Sequence, residues 1–280
     1  MNCAVPEADR PGPFFRAAVA MCYALLLAPM AQAQPDAVRD AMDDPANPLV
    51  RVDTARGQFT VELYPEAAPA SVEWFLAVAE SYAGQTFSRI LPGVLIQSSG
   101  PANNELPAPL ADRAPAPEVN ATILGLEQQP LLNPDGSLHA WLNITDRQQL
   151  EERILTPLYR DMGIPDREAL AVRSDEVTER LQNSTVADAY RRQGYRFDDE
   201  LPSRPPRSGS VLLLAESPER SSPTIAVTLT EAHWLRGQHT VIGQVVDGMS
   251  VVRVLGSQPR RSTPPATIYR IETDLEEDGS

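Results

Sequence analysis

The stretch FSRILPGVLIQSSG, residues 87–100, carries one arginine, Arg89, among apolar neighbours and a lone glutamine, Gln97, eight positions further on. Its residues have strand character. A strand that lays one face on a core has no packing use for a permanently charged guanidinium. The place of Arg89 therefore depends on the chain around it. Upstream, PLVRVDT alternates with period two, TARG is a turn signal, and GQFTVELY alternates again with Phe59, Val61 and Leu63 on one face. This predicts a β-hairpin. PEAAPASVEWFLAVAESYAG then reads as a helix, with Ser71 as its cap, Val72, Phe75, Leu76 and Val78 at helical spacing, and Gly84 as its stop.

Downstream of Gly100 the composition changes. PANNELPAPLADRAPAPEV holds five prolines in 19 residues and reads as an extended surface segment. NPDGS predicts a turn. Thr145 and Gln148 form a capping-box pattern ahead of Leu150, Ile154, Leu155 and Leu158 on one helical face, which Pro157 should kink or shorten. A second helical pattern, DREALAVRSDEVTERLQN, follows Pro165, and a third short one ends at Gly194. Strands return with VLLLA, TIAVTL and TVIGQVV, then a helical turn at GMSVVRVL and a last strand at ATIYRIET. Strands, then helices, then strands fit a barrel or sandwich with a helical excursion better than repeating βαβ units.

The 280 residues allow one large domain or two modest ones. The net charge of −14 and the isoelectric point near 4.7 argue against nucleic acid as a partner, since phosphate binding needs a basic face. Every basic residue is arginine, so lysine chemistry is excluded as well. At the N-terminus, Arg10 and Arg16 precede the apolar run AAVAMCYALLLAPM, and AQAQ offers a small-x-small cleavage site after Ala33. Residues 1–33 read as a signal peptide, too short in its apolar part for a comfortable membrane span. Both cysteines, Cys3 and Cys22, lie inside it, so the mature chain has no thiol and depends on packing for stability. The expectation is a periplasmic or secreted protein without stable membrane insertion after cleavage. Residues 34–47 read as a linker and 274–280 as an acidic tail.

At this point the residues resemble a known family, the cyclophilin-type peptidyl-prolyl cis-trans isomerases. VDTARGQFTVELYPEAAPASVEWFLAVAESYAGQTFSRILPGVLIQ is similar to that family's opening, and WLRGQHTVIGQVVDGMSVV to its distal run; GYRFDDEL looks like the acidic segment before its central strands. The matching parts are residues 48–100 and 194–273, leaving 101–193 as a proline-rich and helical insertion. The resemblance implies a mainly β fold, a closed eight-stranded antiparallel barrel with two capping helices plus an α-helical insertion, present as a monomer. It also implies rotation about X-Pro amides of proline-containing polypeptides, with no cofactor and no metal. That amide has a barrier of about 20 kcal/mol, held up by resonance. Arg89 aligns with the family's catalytic arginine, whose guanidinium donates to the prolyl nitrogen as the amide twists. Gln97 aligns with the contact to the substrate backbone. Phe87, Val94, Leu95, Thr224, Ala226, Trp234, Leu235 and His239 align with the substrate-binding positions.

The match departs from the family at several of these. Phe-Ser-Arg stands for Phe-His-Arg, Val94 for a phenylalanine, and Thr224 and Ala226 for a glutamine and a phenylalanine. Losing an aromatic wall removes about 2–4 kcal/mol of burial if nothing refills it. A second class of reading is therefore a catalytically weak binding module or periplasmic chaperone that uses the helical insert, which leaves the barrel beside the expected site. The remaining candidates are weaker. His233 adjoins Trp234 on a loop and is expected to be exposed, and His139 has no acidic or histidine partner at helical spacing. No metal constellation or nucleophile elbow is present. Asp198, Asp199 and Glu200 read as a solvated loop, and glycosylation at Asn120, Asn143 or Asn183 conflicts with a bacterial-looking signal peptide.

Overall fold

Alternating apolar residues in LVRVDT and GQFTVEL put Val50, Val52, Phe59, Val61 and Leu63 on one face, and that face is buried. In the computed structural model, which describes residues 35–102, 105–258 and 266–273, these stretches are β1 (Leu49–Thr54) and β2 (Gly57–Leu63). They pair antiparallel from Leu49↔Glu62 to Thr54↔Gly57. The other strands are β3 (Phe87–Leu91), β4 (Leu95–Ser98), β5 (Ser210–Ser217), β6 (Arg220–Thr228), β7 (Thr240–Asp247) and β8 (Ile268–Glu272). All eight lie in one curled antiparallel sheet of order β3-β4-β6-β5-β7-β2-β1-β8. Where the two end strands begin, Phe87 N–H donates to the Ala266 carbonyl (2.9 Å) and Ile268 N–H to that of Gln85 (2.7 Å).

The inner face of this sheet encloses one core. Phe87, Ile90, Ile96, Val211, Leu213, Ile225, Val227 and Ile242 meet the inward residues of β1 and β2. Each such side chain, fully buried, stabilises the fold by about 1.5–3 kcal/mol before entropy is counted. A helix (Pro69–Val78) adds Val72, Phe75 and Val78, and another (Met249–Gly256) adds Val252 and Leu255. Ser71 is not the cap of the first helix. It lies inside it, after two residues that proline and helical geometry already fix, and the cap comes from far along the chain. The Glu118 carboxylate accepts from the N–H groups of Ala70 (3.0 Å) and Ser71 (2.7 Å). A carboxylate suits the donors and positive dipole end of a helix N-terminus.

Residues 34–47, expected to be a linker, carry a helix at Pro35–Asp40 and a loop anchored by a buried acid. The Glu62 carboxylate accepts from Asp43 N–H (2.9 Å), Asp44 N–H (3.0 Å) and Asn47 Nδ2 (2.7 Å). The signal-peptide reading and the acidic-tail reading fall on residues outside those described.

Between β4 and β5 the chain builds a second core of its own from Leu124, Leu126, Leu131, Leu142, Ile154, Val186 and Tyr190. The Asn133–Ser137 turn closes as its Pro-Asp-Gly chemistry predicts, with Gly136 at φ 81°. The helical cap lies one residue beyond the expected one. Asp146, not Thr145, accepts from Gln149 N–H (2.8 Å), and Gln149 Oε1 reaches back to Thr145 N–H (3.2 Å). Pro157 has no N–H and its ring crowds the carbonyl four residues earlier. The chain responds with a π turn at Glu151–Leu155 between the short helices Arg147–Leu150 and Thr156–Asp161. Helices at Arg167–Val172, Ser174–Gln182 and Val186–Arg192 follow, the last closed by a Thr185–Asp188 capping box.

Candidate functional site

Leu91-Pro92-Gly93-Val94 makes a tight turn. Proline fixes the first central residue, Gly93 takes φ 72° at the second, and Val94 N–H donates to the Leu91 carbonyl (2.9 Å). The turn sets the register of β3 on β4, with Leu91 opposite Leu95 and Arg89 opposite Gln97. Alternation places Ile90 and Ile96 in the core and Arg89, Leu91, Leu95 and Gln97 on the outer face.

Phe87 and Arg89, two residues apart, would share a face in a regular strand. They do not, because the register shifts between them and Ser88 is the extra, exposed residue. Such a bulge turns one side chain over relative to its neighbours. Phe87 is consequently buried inside the sheet, 6.5 Å from the Phe59 ring, and its assignment to the substrate-binding face is corrected. Arg89 is exposed on the outside, and among the described residues it makes no ion pair or side-chain hydrogen bond. A free guanidinium on a fixed strand is available to a ligand.

The register continues from Arg89 and Gln97 to Ala226 on β6, Leu212 on β5 and Val241 on β7. Directly opposed residues share a face, so this row runs across the outer surface. Leu95, Leu212, Val241, Leu235 and Ala232 form a small apolar cluster there, with Val94 and Trp234 at its rim. Ala226 is fully enclosed, and Thr224, two residues before it, is half-buried beside the backbone of Gly100. Gly100 takes φ 68° and approaches the Pro223 carbonyl so closely that no Cβ fits.

His239 precedes β7. Its Nδ1 accepts Ala215 N–H (3.0 Å), so the neutral ring carries its proton on Nε2. Burial, and secondarily the Arg153 charge, pushes its pKa down to about 4. It therefore stays neutral through physiological pH. The structure thus brings Arg89, Gln97, Val94, Leu95, Thr224, Ala226, Trp234, Leu235 and His239 onto one side of the sheet and leaves Phe87 on the other.

Sequence reasoning missed a set of contacts beside this face. Trp141 stacks on His233 (5.7 Å between centroids, 21° between planes) and meets His139 edge-on (5.1 Å). The Arg236 guanidinium lies 4.6 Å from the Trp141 ring centre and 3.3 Å from Glu231. His233 is therefore half-buried in a contact between segments, not simply exposed. Gly237, at φ 82°, packs against Tyr190 and Leu126 of the second core. No local sequence pattern marks these partners, because they meet only in three dimensions. Among the described residues no group of acidic, histidine or cysteine side chains could hold a metal ion. Asp198, Asp199 and Glu200 are exposed, as a solvated loop requires.

The family model described as cyclophilin type peptidyl-prolyl cis-trans isomerase/CLD matches residues 49–131 and 168–273. The Schizosaccharomyces pombe peptidyl-prolyl cis-trans isomerase ppi1 is 38% identical over 65 residues, 22% of this chain and 42% of the relative. The peptidyl-prolyl cis-trans isomerase-like 1 of Neurospora crassa is 35% identical over 81 residues, 28% of this chain and 50% of the relative. The matches thus span half or less of these relatives' length. Among solved structures, a Cryptosporidium parvum cyclophilin type isomerase aligns over 82% of this chain and 99% of its own, at 13% identity and a TM-score of 0.42. A Hirschia baltica cyclophilin aligns over 84% and 77%, at 18% identity and the same TM-score.

Proposed function

Since the chain belongs to the cyclophilin-type peptidyl-prolyl cis-trans isomerase family, we propose that it catalyses rotation about X-Pro bonds in polypeptides. The observation that carries this reading is the outer-face row Arg89–Gln97–Ala226, with an unpaired guanidinium held by a bulged strand. Rotation about the amide localises a lone pair on the prolyl nitrogen. Arg89 N–H donates to that nitrogen, and the interaction strengthens as the resonance is lost, so it favours the twisted state over both planar ones. The Gln97 amide holds the substrate backbone. Val94, Leu95, Trp234 and Leu235 receive the proline ring, with Thr224, Ala226 and neutral His239 completing the wall. No nucleophile is needed, and no proton changes owner.

We further read the sheet as a closed barrel, supported by the backbone bonds between the starts of β3 and β8. Residues 101–193 are taken as an insertion, supported in their middle by the stretch 132–167 that the family model leaves unmatched. The chain is proposed to be exported and to act on exported polypeptides, a reading that rests on the N-terminal charge and apolar pattern, and to be a monomer, because a closed barrel leaves no strand edge free.

Two-dimensional exchange NMR of a short X-Pro peptide tests the activity. Cis–trans exchange accelerated by the chain supports it, and exchange at the uncatalysed rate overturns it. The enclosed Ala226 favours one second reading. Where a phenylalanine would stand, a methyl group offers little wall, which suits a module that binds proline-containing chains without accelerating them. Peptide shifts on binding, without faster exchange, would select that alternative.

A further inference from the structure

The π turn at Glu151–Leu155 belongs to the part of the chain that the family model leaves unmatched. Ile154 is buried in the second core with Leu126 and Tyr190, and those two residues are the ones on which Gly237 packs. The core that includes Ile154 thus packs on the segment that carries Trp234, Leu235 and His239. Arg153, next to Ile154, is half-buried, and its charge reaches His239, Tyr190 and Tyr195. The other shielded arginines nearby are paired: Arg192 with Asp161 at 3.4 Å and Arg236 with Glu231 at 3.3 Å. Arg153 has no carboxylate oxygen within 4 Å among the described residues.

We infer that Arg153 is a specificity-determining residue of this site, selecting X-Pro substrates that carry a carboxylate side chain within two residues of the proline. The inference rests on the isomerase reading for its site but concerns a residue outside the family match. A guanidinium that has lost part of its hydration gains most from a carboxylate, which accepts two parallel N–H bonds. A neutral carbonyl returns less. The neighbouring His239 is neutral and the tyrosines are held in their protonated form, so neither satisfies the charge. Arg89 and Arg153 then divide the work: one acts on the rotating amide, the other on the residue beside it. π turns are common at functional sites because they displace a side chain from the helical register, and here the displaced stretch contains Arg153.

The test compares kcat/KM for Ala-Ala-Pro-Ala-Ala peptides carrying Glu or Gln at each of the two positions before and the two positions after the proline. The full chain is assayed as wild type, Arg153→Gln and Arg153→Lys. Wild type should prefer Glu over Gln by roughly tenfold at one position, the size expected of a charge-assisted hydrogen bond. The ratio should fall close to one in Arg153→Gln and be partly restored in Arg153→Lys. General damage to the fold would lower both rates and leave their ratio unchanged. A ratio near one at every position in wild type, or one that survives Arg153→Gln, overturns the inference. If no peptide is turned over, the isomerase reading fails by itself. The inference is then read from the same peptides' Kd by calorimetry, where a Glu preference lost in Arg153→Gln sustains it and equal Glu and Gln affinities refute it.

Discussion

Replacing Gly237 by alanine tests how the second core is seated on the site. Gly237 has φ 82°, and a Cβ there would stand 2.7 Å from Tyr190 Cε2 and 2.8 Å from Leu126 Cδ1. Neither neighbour can give way easily. Both are fully buried, and the Tyr190 hydroxyl donates to the Trp141 carbonyl (3.2 Å) while its ring packs edge-on against Tyr195. The left-handed backbone costs an alanine about 1–2 kcal/mol, and overpacking of a rigid site adds about 1–3 kcal/mol. The expected loss for Gly237→Ala is therefore about 2–5 kcal/mol. Gly93→Ala isolates the first part, since Gly93 has φ 72° and nothing within 4 Å of a built Cβ. That variant should lose only about 1–2 kcal/mol. Urea denaturation of wild type and both variants reads the difference. Equal losses at the two positions would refute the claim that the 233–237 turn and the second core are packed without slack.

Two other outcomes follow from single groups. The folded-state pKa of His239 lies near 4, below its ordinary value of 6.5. The unfolded chain therefore takes up this proton first as pH falls, and stability is lost progressively from about pH 6.5 down to about pH 4, by up to roughly 3 kcal/mol. His239→Gln, whose side-chain oxygen can accept the Ala215 N–H, should flatten that part of a stability-against-pH curve; an unchanged slope would contradict the placement of the ring. Glu118→Ala removes the acceptor from the first turn of the Pro69–Val78 helix and should cost about 1–2 kcal/mol. Hydrogen exchange at the Ala70 and Ser71 amides should quicken in this variant, and undiminished protection would show that the cap lies elsewhere.

Local chemistry made much of the fold legible. Alternation in β1 and β2, the helical spacing from Val72 to Val78 and the Asn133–Ser137 turn each depend on residues within one turn or one strand pair. The failures share a cause of the opposite kind. The resemblance puts Phe87 among the substrate-binding positions, whereas a bulge at Ser88 breaks the two-residue period and turns Phe87 into the core, and nothing in the pattern FSR announces it. Ser71 looked like a cap because the true cap, Glu118, lies 47 residues away in sequence. Asp146 and Gln149 repeat the capping pattern of Thr145 and Gln148 one residue later, so a one-residue shift preserves its logic. At the site, the resemblance singles out Arg89, Gln97, Leu95 and Leu235, which share the outer face, but not Leu212, Val241 and Ala232 packed beside them. Arg153 and the Trp141–His233–Arg236 contacts were not readable either, because Arg153 and Trp141 come from a stretch with no counterpart in the quoted motifs.

The central claim, that Arg89 acts on a twisting amide from the outer face of the sheet, is tested most directly by the isomerisation rate of a short X-Pro peptide with wild type and Arg89→Ala. Arg89 is exposed and makes no ion pair among the described residues, so the variant should unfold at nearly the same urea concentration as wild type. Its kcat/KM should fall by about 100-fold or more, the loss expected when one donor to a developing charge is removed. A folded Arg89→Ala variant with the same rate as wild type would contradict the account.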